Sequence, residues 1–135
     1  MSPRLRILVA EDDADVRELI RTRLTGSGFD VHTARNGAEA LERIRSMKPD
    51  AMVLDINMPV LDGFSVLEAL QAGGSLFPVL VLTARHAADD VRRAISLGAK
   101  DYLTKPFTAE QLHARVARLL RASAPAPAPA DVIVG

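Results

Sequence analysis

The sequence predicts an α/β domain in which five strands alternate with five helices around a parallel sheet. Two observations carry this. Short apolar or β-branched runs at Leu5–Ala10, Phe29–Thr33, Ala51–Leu54, Pro78–Thr83 and about Lys100–Thr104 have strand length, and three are continuously apolar, as strands covered on both faces are. Between them lie helix-length stretches whose apolar residues recur at i, i+3, i+4 and i+7. Strands joined by helical crossovers run parallel, and right-handed crossovers place helices on both faces of the sheet. Five such units in 135 residues predict a doubly wound, flavodoxin-like (βα)5 fold with strand order 2-1-3-4-5.

Each element has its own signals. The first strand runs into Glu11-Asp12-Asp13, where Asp13 reads as the N-cap of a helix with the stripe Val16, Leu19, Ile20 and Leu24. Asn36-Gly-Ala-Glu39 and Thr108-Ala-Glu-Gln111 are capping boxes for the second and fifth helices. Leu112, Val116, Leu119 and Leu120 form the apolar stripe of the fifth. Asp62, before Gly63, reads as a turn and cap residue. Gly26, Gly28, Gly73, Gly74 and Gly98 lie just past helical stretches, where left-handed caps favour glycine. Arg4, Arg6, Arg17, Arg21 and Arg23 read as solvated faces.

Composition narrows the function. Seventeen basic and seventeen acidic side chains cancel, so there is no basic excess for phosphate-backbone contacts. The chain is 48% hydrophobic and 25% charged, the balance of a globular domain rather than a disordered tail. The absence of cysteine removes disulfides, thiolate metal sites and thiol nucleophiles. No run approaches the roughly 20 apolar residues of a membrane span. The N-terminus meets Glu11 too soon to hold a secretory core, so the chain reads as cytoplasmic. Residues 1–122 read as the folded domain and 123–130 as an Ala/Pro-rich, extended linker. Residues 131–135, Asp131-Val-Ile-Val-Gly135, read as the start of a truncated further domain.

The neutral total hides an uneven distribution: five carboxylates stand between Glu11 and Glu18 against the single Arg17. In open parallel sheets, ligands bind beyond the carboxyl ends of the strands. The first strand ends in Glu11-Asp12-Asp13, the third in Asp55, the fourth in Thr83-Ala84, and the fifth runs into Lys105-Pro106-Phe107. With Asp13 read as a cap, three acids, a hydroxyl and a lysine therefore converge on one rim. Crowded carboxylates repel unless a cation neutralises them, and hard oxygen donors without His or Cys suit Mg²⁺. A carboxylate beside such an ion can attack phosphorus and form an acyl phosphate. Lys105 and Thr83 supply the cation and donor that a transferring phosphoryl group needs.

Glu11-Asp12, Asp55 with Met58-Pro59 and Asp62-Gly63, Thr83-Ala84 and Lys105-Pro106-Phe107 together resemble the receiver domain of two-component response regulators. The resemblance spans roughly residues 5 to 121. It implies that Asp55 accepts a phosphoryl group from a sensor histidine kinase. It implies further that Glu11, Asp12, Asp55 and the Asn57 carbonyl arrange Mg²⁺, that Lys105 pairs with the phosphoryl group, and that Thr83 hydrogen-bonds it. By the same carry-over, Tyr102 occupies the aromatic switch position, the Lys105–Pro106 peptide is cis, and Arg85 and Asn57 tune phosphoryl lifetime. Tyr102 alone would equally suit simple packing. The kinase would dock near the first helix and the loop after the fifth strand.

The resemblance implies a phosphoacceptor switch that catalyses only its own phosphorylation and dephosphorylation. A haloacid-dehalogenase-like phosphatase would need an acid two residues after the nucleophile, where this chain has Asn57. A flavodoxin would need a phosphate loop where Glu11-Asp12-Asp13 would repel FMN. The tail is reminiscent of the junction to the winged-helix DNA-binding domain of transcriptional regulators. Such regulators dimerise through the fourth-helix, fifth-strand and fifth-helix face. Asp90, Asp101 and Arg115 are compatible with that contact, whereas Lys100 stands where an acid is usual. A stand-alone receiver acting by protein–protein contact is the alternative.

Overall fold

The computed structural model describes residues 4–75, 77–84 and 87–123. Strands β1 (Arg6–Ala10), β2 (Asp30–Ala34), β3 (Ala51–Asp55), β4 (Val79–Thr83) and β5 (Asp101–Thr104) alternate with helices α1 (Ala14–Gly26), α2 (Gly37–Met47), α3 (Gly63–Ala72), α4 (Ala88–Ser96) and α5 (Ala109–Ser123). The strands form one parallel sheet of order β2-β1-β3-β4-β5, the order the sequence predicts. Each expected strand lies within one residue of its observed bounds.

Alternation along the strands divides the core into two layers. Leu8 and Ala10 of β1, with Met52 and Leu54 of β3, face the side covered by α2, α3 and α4. Ile7 and Val9, with Ala51 and Val53, face Ile20 and Leu24 of α1 and Leu112, Val116 and Leu119 of α5. β3 and β4 are buried along their whole length, which explains their apolar runs up to the polar last residues Asp55 and Thr83. Burying each such side chain stabilises the fold by roughly 1.5–3 kcal/mol. Leu19, expected in the apolar stripe of α1, is instead 44% exposed.

The helix starts follow the expected chemistry. The Asp13 side chain accepts from the Asp15 and Val16 amides, and the Asp62 side chain accepts from the Ser65 amide. Thr108 and Gln111 form the full reciprocal box, at 3.0 and 2.9 Å. At α2 the box is displaced. Asn36 accepts from the Glu39 amide, but the Glu39 carboxylate accepts from the Arg35 amide.

Of the five glycines expected as left-handed caps, Gly28, Gly74 and Gly98 have positive φ. Gly26 is the last residue of α1, and Gly73 keeps a helical φ of −83°. Lys48 and Val60 take left-handed values that sequence pattern does not reveal. α5 includes Ser123, the first residue of the expected linker. The rest of that linker and residues 131–135 lie outside the described residues, as does Arg85.

Candidate functional site at the carboxyl edge of the sheet

Four strand ends deliver the site. The Glu11 amide makes the last bond to β2, donating to the Ala34 carbonyl at 3.0 Å, and the next residues turn into α1. Asp55 closes β3 and is held beside β4 by the Ile56 amide, which donates to Leu82 at 3.2 Å. The Lys105 amide donates to the Thr83 carbonyl at 2.7 Å, fixing the lysine against the end of β4. The Lys105–Pro106 peptide is cis. After Asp55, the chain passes through Pro59-Val60-Leu61, where the Leu61 amide donates to the Pro59 carbonyl at 2.7 Å. Val60 stands there at φ 70° and is 80% exposed, a strained conformation for a β-branched residue.

Gly63 seats this loop against the strand. A Cβ at this position would lie 2.5 Å from the Asp55 carbonyl oxygen and 2.8 Å from the Ile56 Cα. Gly37 is equally confined, with the Leu61 carbonyl oxygen 2.3 Å from where its Cβ would be. Both glycines are required by close backbone approach, not by a special φ.

The side chains converge. Glu11, Asp12 and Asp55 offer carboxylate oxygens that all lie within 4.8 Å of one another, and Glu11 and Asp55 are buried while Asp12 is exposed. Lys105 Nζ lies 2.8 Å from Glu11 Oε1 and 3.4 Å from Asp55 Oδ1. The Asp13 amide donates to Glu11 Oε2 at 3.1 Å, and the Asn57 amide to Asp55 Oδ1 at 3.3 Å. Burial, reinforced by the Glu11 charge, pushes the Asp55 carboxyl up to about 7, against the opposing pull of Lys105. The Lys105 ammonium is raised because hydrogen bonding and charge from Glu11 and Asp55 outweigh its desolvation.

The remaining expected residues sit around this cluster. Thr83 is buried, and its Oγ1 has no hydrogen-bond partner among the described residues, an expensive state for a hydroxyl. Asn57 is exposed, its carbonyl in the loop leaving β3. Tyr102 is 40% exposed and lines a cleft of about 340 Å³ with Thr83, Ala87, Val91 and Thr104. Asp13 and Asp62 act as helix caps and do not join the three-carboxylate group.

One residue was missed by the sequence reading. Arg17, expected on a solvated face, is partly buried, and its Nη1 donates to the carbonyls of Glu11 at 2.9 Å and Asp12 at 3.3 Å. Arg6 is exposed, as expected, while donating to the Met47 carbonyl at 2.7 Å, and Arg23 Nε is buried. The available signal for Arg17 was its position as the sole cation within the acidic run.

A parallel 2-1-3-4-5 sheet with acids, threonine and lysine at its carboxyl edge defines a class of signalling module. The chain belongs to the response regulator receiver domain family, whose sequence model matches residues 7–117. It is 53% identical over 116 residues to the transcriptional regulatory protein PrrA of Mycobacterium leprae, covering 86% of this chain and 50% of that protein. It is 47% identical over 121 residues to the response regulator MprA of Mycobacterium avium, covering 90% of this chain and 53% of that protein. The chain thus spans about half the length of these curated relatives. Among solved structures, NtrX from Brucella abortus superposes with a TM-score of 0.84 at 30% identity, covering 90% of this chain and 28% of NtrX. The domain is therefore a signalling regulator by family. Among the described residues, no helix is long and apolar enough to cross a membrane.

Proposed function

We propose that Asp55 is the phosphoacceptor of a two-component switch acting in the cytoplasm. A carboxylate oxygen of Asp55 attacks the phosphorus of a sensor kinase's phosphohistidine. The P–N bond breaks, and the imidazole leaves with its electron pair and takes up a proton. The observation that carries this reading is the convergence of Glu11, Asp12, Asp55 and Lys105 at one edge of the sheet.

The all-oxygen donor set fits Mg²⁺, with Glu11, Asp12, Asp55 and the Asn57 carbonyl as the groups that would hold it. When bound, the ion would offset the crowded carboxylates and the charge on the phosphoryl oxygens. Lys105 keeps Asp55 toward its ionised, nucleophilic form and supplies a cation for the transferred group. The Thr83 hydroxyl, without a partner among the described residues, is a donor available to a phosphoryl oxygen. In this reading Asp55 phosphorylation gives Thr83 a partner, and Tyr102 moves from its exposed position into the cleft it lines. The chain catalyses only its own phosphorylation and dephosphorylation.

The kinase would dock on the groove of about 360 Å³ lined by Val16, Leu19, Ala84, Lys105, Pro106 and Phe107. Its apolar wall explains the exposure of Leu19, and it opens beside Lys105. The names of PrrA and MprA support a transcriptional output, with DNA bound by a further domain joined through the part of the 123–130 segment that follows Ser123. Dimerisation through α4, β5 and α5 would engage Asp101, which is paired within the chain to Arg115 at 3.2 Å and Arg118 at 2.5 Å. Incubation with Mg²⁺ and acetyl phosphate should give a single phosphoryl adduct by intact mass, lost in Asp55→Asn. Continuous phosphate release with no adduct would instead indicate a phosphatase.

A further inference from the structure

We infer that Arg17 is a positioning residue for the acidic site, holding the Glu11–Asp12 backbone so that both carboxylates present to a divalent cation. The inference rests on the reading of Asp55, Glu11 and Asp12 as a Mg²⁺ site and adds a residue to it.

The turn that carries Glu11 and Asp12 has two other anchors. On one side the Glu11 amide makes the last bond to β2. On the other, Asp13 caps α1, and its amide donates to Glu11 Oε2. Between these anchors a single Arg17 nitrogen, Nη1, donates to both carbonyls, at 2.9 and 3.3 Å. The two N–H groups of Nη1 lie in the rigid guanidinium plane, so they can hold two adjacent peptide units in set directions where a lysine ammonium would act as a point charge. Because the carbonyl directions fix the peptide planes, they also set where the Glu11 and Asp12 side chains leave the backbone.

The choice of acceptor matters as much as the bond. Arg17 binds carbonyls rather than carboxylates. A guanidinium forked onto Glu11 or Asp12 would compete with a metal ion for the same oxygens. Here no guanidinium occupies the carboxylate oxygens that lie within 4.8 Å of each other; their contacts are Lys105 and the backbone amides of Asp13 and Asn57. Arg17 is also the only cation between Glu11 and Glu18, so it offsets repulsion along the run that the loop must tolerate. Partners that orient metal ligands typically change metal affinity about 10- to 100-fold when removed.

The test uses the whole chain and MgCl₂ as probe. Titration calorimetry should show Mg²⁺ bound about tenfold more weakly by Arg17→Met, which keeps the aliphatic stem, and by an intermediate factor in Arg17→Lys. In phosphorylation by acetyl phosphate, Arg17→Met should raise the Mg²⁺ concentration for half-maximal rate and leave the plateau rate within about twofold. Thermal melting followed by circular dichroism identifies folded variants, and if the Met variant does not fold, the Lys variant decides alone. A folded Arg17→Met, or failing that Arg17→Lys, with wild-type Mg²⁺ affinity overturns the inference. So does a plateau that falls while affinity is unchanged. A wild-type chain that binds no Mg²⁺ overturns the underlying metal-site reading as well, which separates the two failures.

Discussion

Asp55 shows how one residue acquires its chemistry from its surroundings. Its carboxyl is pushed up to about 7 by burial first and by the Glu11 charge second. The folded chain therefore holds a proton there that the unfolded chain releases near its ordinary value of 3.8. Between those values the folded state binds more protons, so stability from this group falls as pH rises and is lowest above about 7. In divalent-free buffer, Asp55→Asn should leave urea stability at pH 4 near wild type and raise it at pH 8, on the order of 2 kcal/mol. Lys105 keeps Glu11 as a partner in that variant. Equal stability of the two proteins at pH 8 would show that Lys105 already neutralises the pair. Residue types in the sequence were enough to nominate Asp55, Glu11, Asp12, Lys105 and Thr83 as neighbours. They did not reveal Arg17, because its acceptors are backbone carbonyls, which every sequence possesses.

At the scale of the element, the loop from β3 into α3 is constrained by backbone contact. Gly63 has no room for a side chain, since the atoms its Cβ would meet belong to the backbone of Asp55 and Ile56. Gly63→Ala should therefore destabilise the domain by about 2–3 kcal/mol, read as a lowered urea midpoint with unchanged slope. A neutral result would mean that the loop can lift away from the strand. The sequence reading treated Asp62-Gly63 as turn and cap chemistry. Asp62 does cap α3, but the close approach behind the glycine comes from the strand it folds onto. The caps of α1 and α5 were legible for the opposite reason: all their partners lie within three residues.

Across the whole molecule, stability is unevenly distributed. β3 and β4 are buried throughout, whereas α4 has only Ala94 buried and no side-chain bond at its N-cap. What ties α4 sideways is Arg93, which stacks 4.1 Å over Phe64 and lies 3.6 Å from Glu68, both on α3. Amide exchange should accordingly be slowest in β3 and β4 and faster in α4 than in α1 or α5. Protection in α4 equal to that of β3 would contradict this ordering.

The alternation of strand-length and helix-period apolar runs determined the fold class, because each run can bury its face in only a few ways. The parallel crossover rules then narrowed the strand order, and short-range capping chemistry located the starts of α1, α2, α3 and α5 to within a residue or so. Tertiary structure alone decided the rest. It oriented Tyr102 outward, left the Thr83 hydroxyl without a partner among the described residues, turned Arg17 back onto the acidic loop and raised the Asp55 carboxyl. Each of these depends on distances between residues far apart in the chain or on burial by several elements at once. Local sequence encodes periodicity and caps; solvent exclusion and through-space charge exist only after the sheet has closed around them.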